Sequence, residues 1–245
     1  MLKQLIALVS MSIVSSTVVC AQENQSATST AFIKPFTAEY TILHKSDPVG
    51  KGIRKLTTNE QGQTVYSYET NIEWLIFSDH REESSVVQIN NGHVTPQIYH
   101  YERTGTGRDK EYKWQFAIDN NQATDLLKKR VVDVDFPSNI QDKLSYHLQH
   151  RMNMMKNPEQ RHFVYPVIGT SGKIKNLVYE YDGEEEVMLP YGLVKAIKLK
   201  REVVEKKRIT YAWFAPELDY LMVKLYQVKS GAEQFEAQLN KITTH

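Results

Sequence analysis

The sequence predicts an all-β domain: a curled antiparallel sheet or barrel-like roll of about a dozen strands, with one amphipathic helix at about 138–156. Three observations predict it. Apolar and polar residues alternate along most of the chain, the alternating runs are joined by short turn signals, and a single segment changes to helical spacing. Strict alternation puts one face of a strand on a core and the other in water. Connections this short favour antiparallel neighbours, because a parallel crossover needs a dozen or more residues. A twisted sheet with that many strands tends to curl or close on itself.

The elements follow in order. FTAEYTILHK opens the pattern from Phe36 and ends at the turn signal SDPVG. In QTVYSYETNIEWLIF, Tyr66, Tyr68, Thr70, Ile72, Trp74 and Ile76 share one face, while Ser67, Glu69, Asn71 and Glu73 share the other. NNGH precedes VTPQIYHYER, and GTGRD precedes KEYKWQFAID, where Tyr112, Trp114, Phe116 and Ile118 alternate with Glu111, Lys113, Gln115 and Asp119. The rhythm then breaks. FPSNIQDKLSYHLQHRMNMMKNP carries Ile140, Leu144, Leu148 and Met152 at spacing four, with Met155 three further on. That is the period of a helix. Ser138 and Gln141 match a capping box, Asp142 suits a first turn, and Asn157-Pro158 ends the run. One helix cannot cover such a sheet, so it is expected to plug an open side or pack on a rim. Alternation resumes in KIKNLVYEYD, GLVKAIKLKRE, KKRITYAWF, LDYLMVKLYQV and AEQFEAQLNKI, with turns at YDGEE and KSGAE.

Ahead of the strands stands an export signal. MLKQLIALVSMSIVSSTVVCAQ sets Lys3 before an apolar run that is too brief to span a bilayer, followed by small residues. Val19 and Ala21 suit the positions before a cleavage point, which places the cut after Ala21 and the mature chain in the periplasm. The alternative is a lipoprotein anchored at Cys20, although Val19 is not the small residue a lipobox wants before it. The polar stretch QENQSATSTAFIKP reads as a flexible segment. The expected division is therefore signal peptide 1–21, flexible segment 22–35 and one antiparallel β domain at 36–245. No transmembrane span remains in the mature chain.

Composition narrows the function. Cys20 is the only cysteine and leaves with the signal, so a disulfide framework and a Cys-ligated metal are excluded. Of the 30 Lys and Arg residues, Lys3 alone lies in the leader, and the rest balance the 29 Asp and Glu. That balance argues against nucleic-acid binding through a basic surface and leaves room for a local patch.

DKLSYHLQHRM, then LPYGLVKAIKLKR, then ITYAWFAPELDYLMVKLYQV, in this order and at these spacings, resemble a family of exported bacterial proteins, domain of unknown function 3108 (DUF3108). FTAEYTILHKSDPVGKG and VTPQIYHYER resemble its first strands and its Pro-containing strand. The resemblance covers nearly all of the mature chain, and WFAPELDYL is its most specific piece. One departure is Met222, which stands where the family often has Pro. The resemblance implies a rolled antiparallel β fold with little helix, an envelope location and no established activity. It transfers no catalytic residue.

Each candidate site also has a plain structural role open to it. Glu217 and Asp219 sit beside Pro216 between two strands, where acids are common turn residues. A glycosidase pair would need a cleft and an apolar pocket, and the local sequence supplies neither. His147 and His150 are three apart on the helix but lack a third ligand at a helical offset, so no metal site is assigned. FSDHREESS concentrates acid, base and cation, yet alternation sends His80, Glu82 and Ser84 one way and Arg81, Glu83 and Ser85 the other, which suits a solvated strand. There is no Gly-x-Ser-x-Gly elbow, no P-loop and no dinucleotide fingerprint; GTSG and GTGRD read as turns. The aromatics are more suggestive. Tyr66, Tyr68, Trp74, Tyr112, Trp114, Tyr211 and Trp213 fall mostly on inward faces and form the ligand-binding candidate. The plainer reading makes them core aromatics with polar tips near the rim.

The sequence thus leads to an expectation of a non-enzymatic periplasmic binding module without cofactor. It would hold an apolar or amphipathic envelope ligand, such as a lipid, or an envelope-assembly protein on the concave side of a curved sheet. The alternatives are an envelope glycan or peptidoglycan hydrolase acting through carboxylates, and a structural interaction scaffold with a filled core.

Overall fold

The computed structural model describes residues 33–245. The expected leader at 1–21, its cleavage point and Cys20 lie outside the described residues, as does most of the 22–35 segment. From the end of that segment, Ile33 is buried in the main core, and the Pro35 carbonyl accepts from the His245 amide at 2.9 Å.

The alternating runs become one sheet of 14 strands. The first half comprises β1 (Phe36–His44), β2 (Asp47–Thr58), β3 (Thr64–Trp74), β4 (Phe77–Asn90), β5 (His93–Gly105), β6 (Lys110–Ala117), β7 (Gln122–Asp125) and β8 (Arg130–Asp133). Helix α1 (Ser145–Lys156) follows. The second half comprises β9 (His162–Ile168), β10 (Ile174–Leu189), β11 (Gly192–Val203), β12 (Arg208–Ala215), β13 (Leu221–Lys229) and β14 (Ala232–Thr244). Consecutive strands pair antiparallel everywhere except between β8 and β9, and β14 pairs with β1. The sheet is a meander rolled round on itself and left open at one seam, where the chain departs to make the helix.

The segment before α1 covers part of that seam. The Gln141 amide donates to Pro166 O and the Ile168 amide to Gln141 O, both at 2.9 Å, a parallel bridge on the free edge of β9. Pro166 fits an edge strand because it has no N–H to leave unpaired.

The helix differs from expectation in two ways. It begins at Ser145 rather than near Ser138, because the bridge to β9 holds the preceding residues extended and the cap lies at Asp142. Asp142 Oδ1 accepts from the amides of Leu144 at 2.8 Å and Ser145 at 2.7 Å, and the Asp142 amide donates back to Ser145 Oγ at 2.9 Å. This is reciprocal capping about one turn downstream of the Ser138–Gln141 pair. The helix is also buried around most of its circumference rather than on one stripe. Leu144, Leu148 and Met152 enter the main core, while Tyr146 and Met154 enter a second cluster with Phe163, Tyr165, Tyr179, Leu199 and Phe214. Its polar residues find partners inside, as buried polar groups must. Gln149 Oε1 accepts from the Val94 amide at 2.7 Å and Gln149 Nε2 donates to Gly92 O at 3.0 Å. Arg151 donates to Asp219 O at 2.7 Å and Leu218 O at 3.0 Å.

Because the sheet is a meander, its turns fall at two ends. Turns after odd-numbered strands form one rim, here the upper, and turns after even-numbered strands form the lower. The partners of α1 at Gly92, Leu218 and Asp219 belong to lower turns, so the helix fills the lower half of the concave side. The lower end is drawn in further where the Tyr191 amide, at the tip of the β10–β11 hairpin, donates to Leu239 O at 3.1 Å.

Candidate functional site

The upper half of the concave face is where polar chemistry collects. Register pairing lays side chains out in rows across β2 to β6. Leu56, Tyr66, Ser85, Tyr99 and Trp114 form a lower row, each paired with the next. Arg54, Tyr68, Glu83, Tyr101 and Tyr112 form the row above it, and Gly52, Thr70, Arg81, Arg103 and Lys110 the row above that. The lower row is sealed under the helix, whereas Tyr68, Tyr101 and Tyr112 in the middle row are only half-buried.

Arg54 is the unusual member. It is 5 % exposed, its Nε has no hydrogen-bond partner, and no carboxylate pairs with it among the described residues. Its guanidinium carbon lies 5.1 Å from the Tyr68 ring centre and 5.7 Å from that of Tyr66. Ala38, its neighbour on β1, leaves room for it. Burial works against its charge, but a guanidinium keeps its proton far above neutral pH, so the group stays charged. Cation–π contacts recover part of the lost hydration. They do not replace a hydrogen-bonded counter-ion: Glu83, farther along the same row, feels the Arg54 charge but accepts from Tyr99 instead, and a buried charge without a direct partner is costly.

A second arginine approaches from the opposite wall. Arg201 on β11 lies 5.5 Å from the Tyr179 ring centre with its Nε unpartnered. Arg54 and Arg201 both bear on Tyr146 and His147 at the start of α1. The His147 pKa is driven well down, first by burial and then by these two guanidinium groups and His150. A groove of about 960 Å³ opens beside them, lined among others by Lys143, Tyr146, Lys173, Lys175, Arg201 and Arg208. Lys143 also lies over the Tyr101 ring at 5.1 Å.

Carboxylates in this half are already engaged. Asp79 is buried and bonds Arg81 at 2.5 Å and Arg103 at 2.6 Å. Burial works against its charge, and the two arginine hydrogen bonds outweigh it, so its pKa lies below the usual range. Glu83 accepts from the Tyr99 hydroxyl at 2.6 Å, and burial pushes its pKa up. Asp142, raised by burial as well, is held by Ser85 and the helix amides. The inward half of FSDHREESS is therefore solvated only in part: Asp79 and Ser85 are buried and Glu83 half-buried, Arg81 stays exposed, and His80 and Glu82 pair on the outside at 3.1 Å. The reason is that the concave face of β4 is covered at Asp79, by its arginine partners, and from Ser85 downward, under the segment that leads into the helix.

The seven aromatic candidates separate into three places. Tyr66, Tyr68, Tyr112 and Trp114 do meet on the concave face, in the two rows above. Trp74 stands at the upper β3–β4 turn, 5.0 Å from the His44 ring. Tyr211 and Trp213 lie on the other face of β12, because Ala212 and Phe214 take the side that packs with the helix. There Lys198 lies 4.7 Å from the Tyr211 ring centre, and Trp213 Nε1 donates to Glu185 at 2.6 Å. Alternation gives two faces to a strand but does not say which is concave, and β12 is covered on both.

The remaining candidates have structural surroundings. His150 is enclosed by Phe163, Tyr165, Tyr179 and Phe214, with Nδ1 at 2.8 Å from the Tyr165 hydroxyl. Burial lowers its pKa to about 3. Glu217 and Asp219 are exposed at the β12–β13 corner, where Asp219 takes a φ of 51°. Arg54 and Arg201 escaped notice in the sequence because an arginine in an alternating run reads as solvated. The signal that was present is that Arg54 shares a face with Leu56 and Gly52.

Among known proteins, a solved structure shares this fold, and a family model matches most of the chain. A family model described as "Protein of unknown function (DUF3108)" matches residues 36–238. No curated protein matches the chain. A beta-barrel-like protein from Brucella abortus, of the domain of unknown function DUF1849, superposes with a TM-score of 0.56 at 7 % identity, covering 87 % of this chain and 98 % of that one. MucB in complex with the periplasmic part of MucA matches at 8 % identity and a TM-score of 0.30, over 86 % of this chain and 50 % of that one. A Bacteroides fragilis protein with a YmcC-like fold matches at 10 % identity and 0.34, over 86 % and 97 %.

Proposed function

The chain belongs to the DUF3108 family of proteins of unknown function, and on that premise we propose that it is a periplasmic binding module acting without chemistry. Its ligand is amphipathic and anionic, and is held on the upper half of the concave face. The carrying observation is Arg54, a buried guanidinium with tyrosine rings around it and no carboxylate on it. Proteins pair buried charges or do without them. A site that keeps one unpaired inside an aromatic wall suits a ligand that brings the counter-charge and an apolar body together. Arg201 and the groove beside Tyr146 supply a second cation and the volume for that body. Such sites are mostly apolar, with a few polar groups that fix orientation.

Native mass spectrometry of protein purified from periplasm tests this. The wild type should carry a bound anionic amphiphile, and Arg54→Met should lose it while keeping its fold. A wild-type mass equal to that of the bare mature chain, or retention of the same adduct by Arg54→Met, would contradict the reading.

A further inference from the structure

Both rims expose apolar side chains, Met188, Tyr191 and Leu193 on the lower β10–β11 hairpin among them, but the two rims differ in charge and in how those side chains are set. At the upper rim, Trp74, Leu75, Ile76 and Phe77 make the β3–β4 turn with all four side chains exposed, Leu75 at 89 % and Ile76 at 99 %. Four consecutive exposed apolar residues are disfavoured in water unless something uses them. Leu75 also holds a φ of 55°, where a two-residue hairpin turn prefers glycine. Among the described non-glycine residues with positive φ it is the one aliphatic. The turn is thus unfavourable in water on two counts.

Charge separates along the same axis. Other upper turns expose Lys45, Arg108, Lys128, Lys129, Lys206 and Lys207, with Asp47, Asp109 and Glu205 among them. Val204, between Val203 and Glu205, is exposed too. The lower turns expose Glu60, Asp119, Asp133, Glu159, Glu217 and Asp219 beside Lys156 and Arg161. An overall charge of +1 conceals a basic end and an acidic end.

We propose that the upper rim docks on an anionic bilayer, with Leu75 and Ile76 inserted among the acyl chains. Trp74 and Phe77 would lie at headgroup depth, where tryptophan is favoured, and the rim lysines over lipid phosphates. The apolar part is a two-residue point rather than the broad complementary patch that a stable protein interface needs. A point of this kind enters a fluid more readily than it fills a protein surface. Docking this way sets the mouth of the concave groove, whose wall includes Val204 and Lys206, against the lipid. The rim acts independently of any ligand on Arg54.

Co-sedimentation of the mature chain with vesicles of phosphatidylglycerol and phosphatidylethanolamine, against vesicles of phosphatidylcholine alone, tests the proposal. The wild type should bind the anionic vesicles and release from them as salt rises from about 0.1 to about 0.5 M. Its tryptophan emission should shift to the blue, since Trp114 and Trp213 are already buried and Trp74 is not. Leu75→Gly/Ile76→Ser supplies the glycine the turn prefers, so it should melt no lower than wild type and bind about tenfold less. Lys206→Glu/Lys207→Glu should lose binding to anionic vesicles by a similar factor. Arg54→Met should bind vesicles like wild type, which separates failure of the rim from failure of the concave site. The proposal is overturned if the wild type ignores anionic vesicles, binds phosphatidylcholine equally, or binds as well after the tip is changed. Shielding of Trp74 by another protein without vesicle binding would overturn it in favour of a protein partner.

Discussion

Trp114 is among the largest fully buried side chains, covered by the helix side of the sheet, whereas Lys113 beside it on β6 is exposed. Trp114→Ala should therefore cost about 3–5 kcal/mol, as for other buried aromatics cut to Ala, and Lys113→Ala should stay within about 0.5 kcal/mol. Denaturant unfolding checks both, and equal losses would mean that the register of β6 is wrong. His150 gives a pH signature. Its pKa is about 3 in the fold, through burial, against an ordinary value near 6.5. Between those values the unfolded chain binds a proton that the native state does not, so stability falls as pH drops from about 6.5 toward 3. His147 acts in the same sense, while Glu83 and Asp142, raised by burial, act in the opposite one. A His150→Gln variant should lose much of the fall in melting temperature between about pH 6.5 and pH 4. An unchanged profile would place the ring in water.

At the scale of elements, the start of α1 offers a clear contrast. Asp142→Ala removes the acceptor of two helix amides and the partner of buried Ser85. It should cost about 1–3 kcal/mol from the lost cap and the unpaired groups. Ser138→Ala, at an exposed site before the β9 bridge, should be nearly neutral. Thermal melting of the two variants checks the order, and a reversed order would restore the helix start that the residue pattern suggests. The capping pattern at Ser138 misleads because a tertiary contact, Gln141 on the edge of β9, holds those residues extended. Strands such as β3 and β6 were legible because aromatic and apolar residues alternate with polar ones along each, and the apolar face is the more covered of the two. β7 and β8 have four residues each, too few to show a period. β2 hides its pattern behind glycines and an inward arginine. That Tyr66 and Tyr68 share one face of β3, and Tyr112 and Trp114 one face of β6, was readable from alternation. That Tyr211 and Trp213 lie on the other side of the sheet was not, because which face of a strand is concave depends on how the whole sheet rolls.

For the molecule as a whole, a meander closed by β14 on β1 and left open between β8 and β9 needs something in its middle. The helix supplies it in the lower half. The upper half keeps half-buried tyrosines, a groove and an unpaired guanidinium. A sheet built only for stability would fill that space with aliphatic residues, since replacing buried charges by well-packed apolar groups is often neutral or stabilising. Sites that break such rules are where function is expected. The measurement that bears most directly on this account is the unfolding free energy of ligand-free Arg54→Met against wild type. The account predicts a variant at least as stable as wild type, and up to about 4 kcal/mol more so, because the methionine fills the space without an unpaired charge. A loss of more than about 2 kcal/mol would mean that Arg54 holds the fold together through the tyrosines around it, and would contradict the claim that its charge is kept for a ligand.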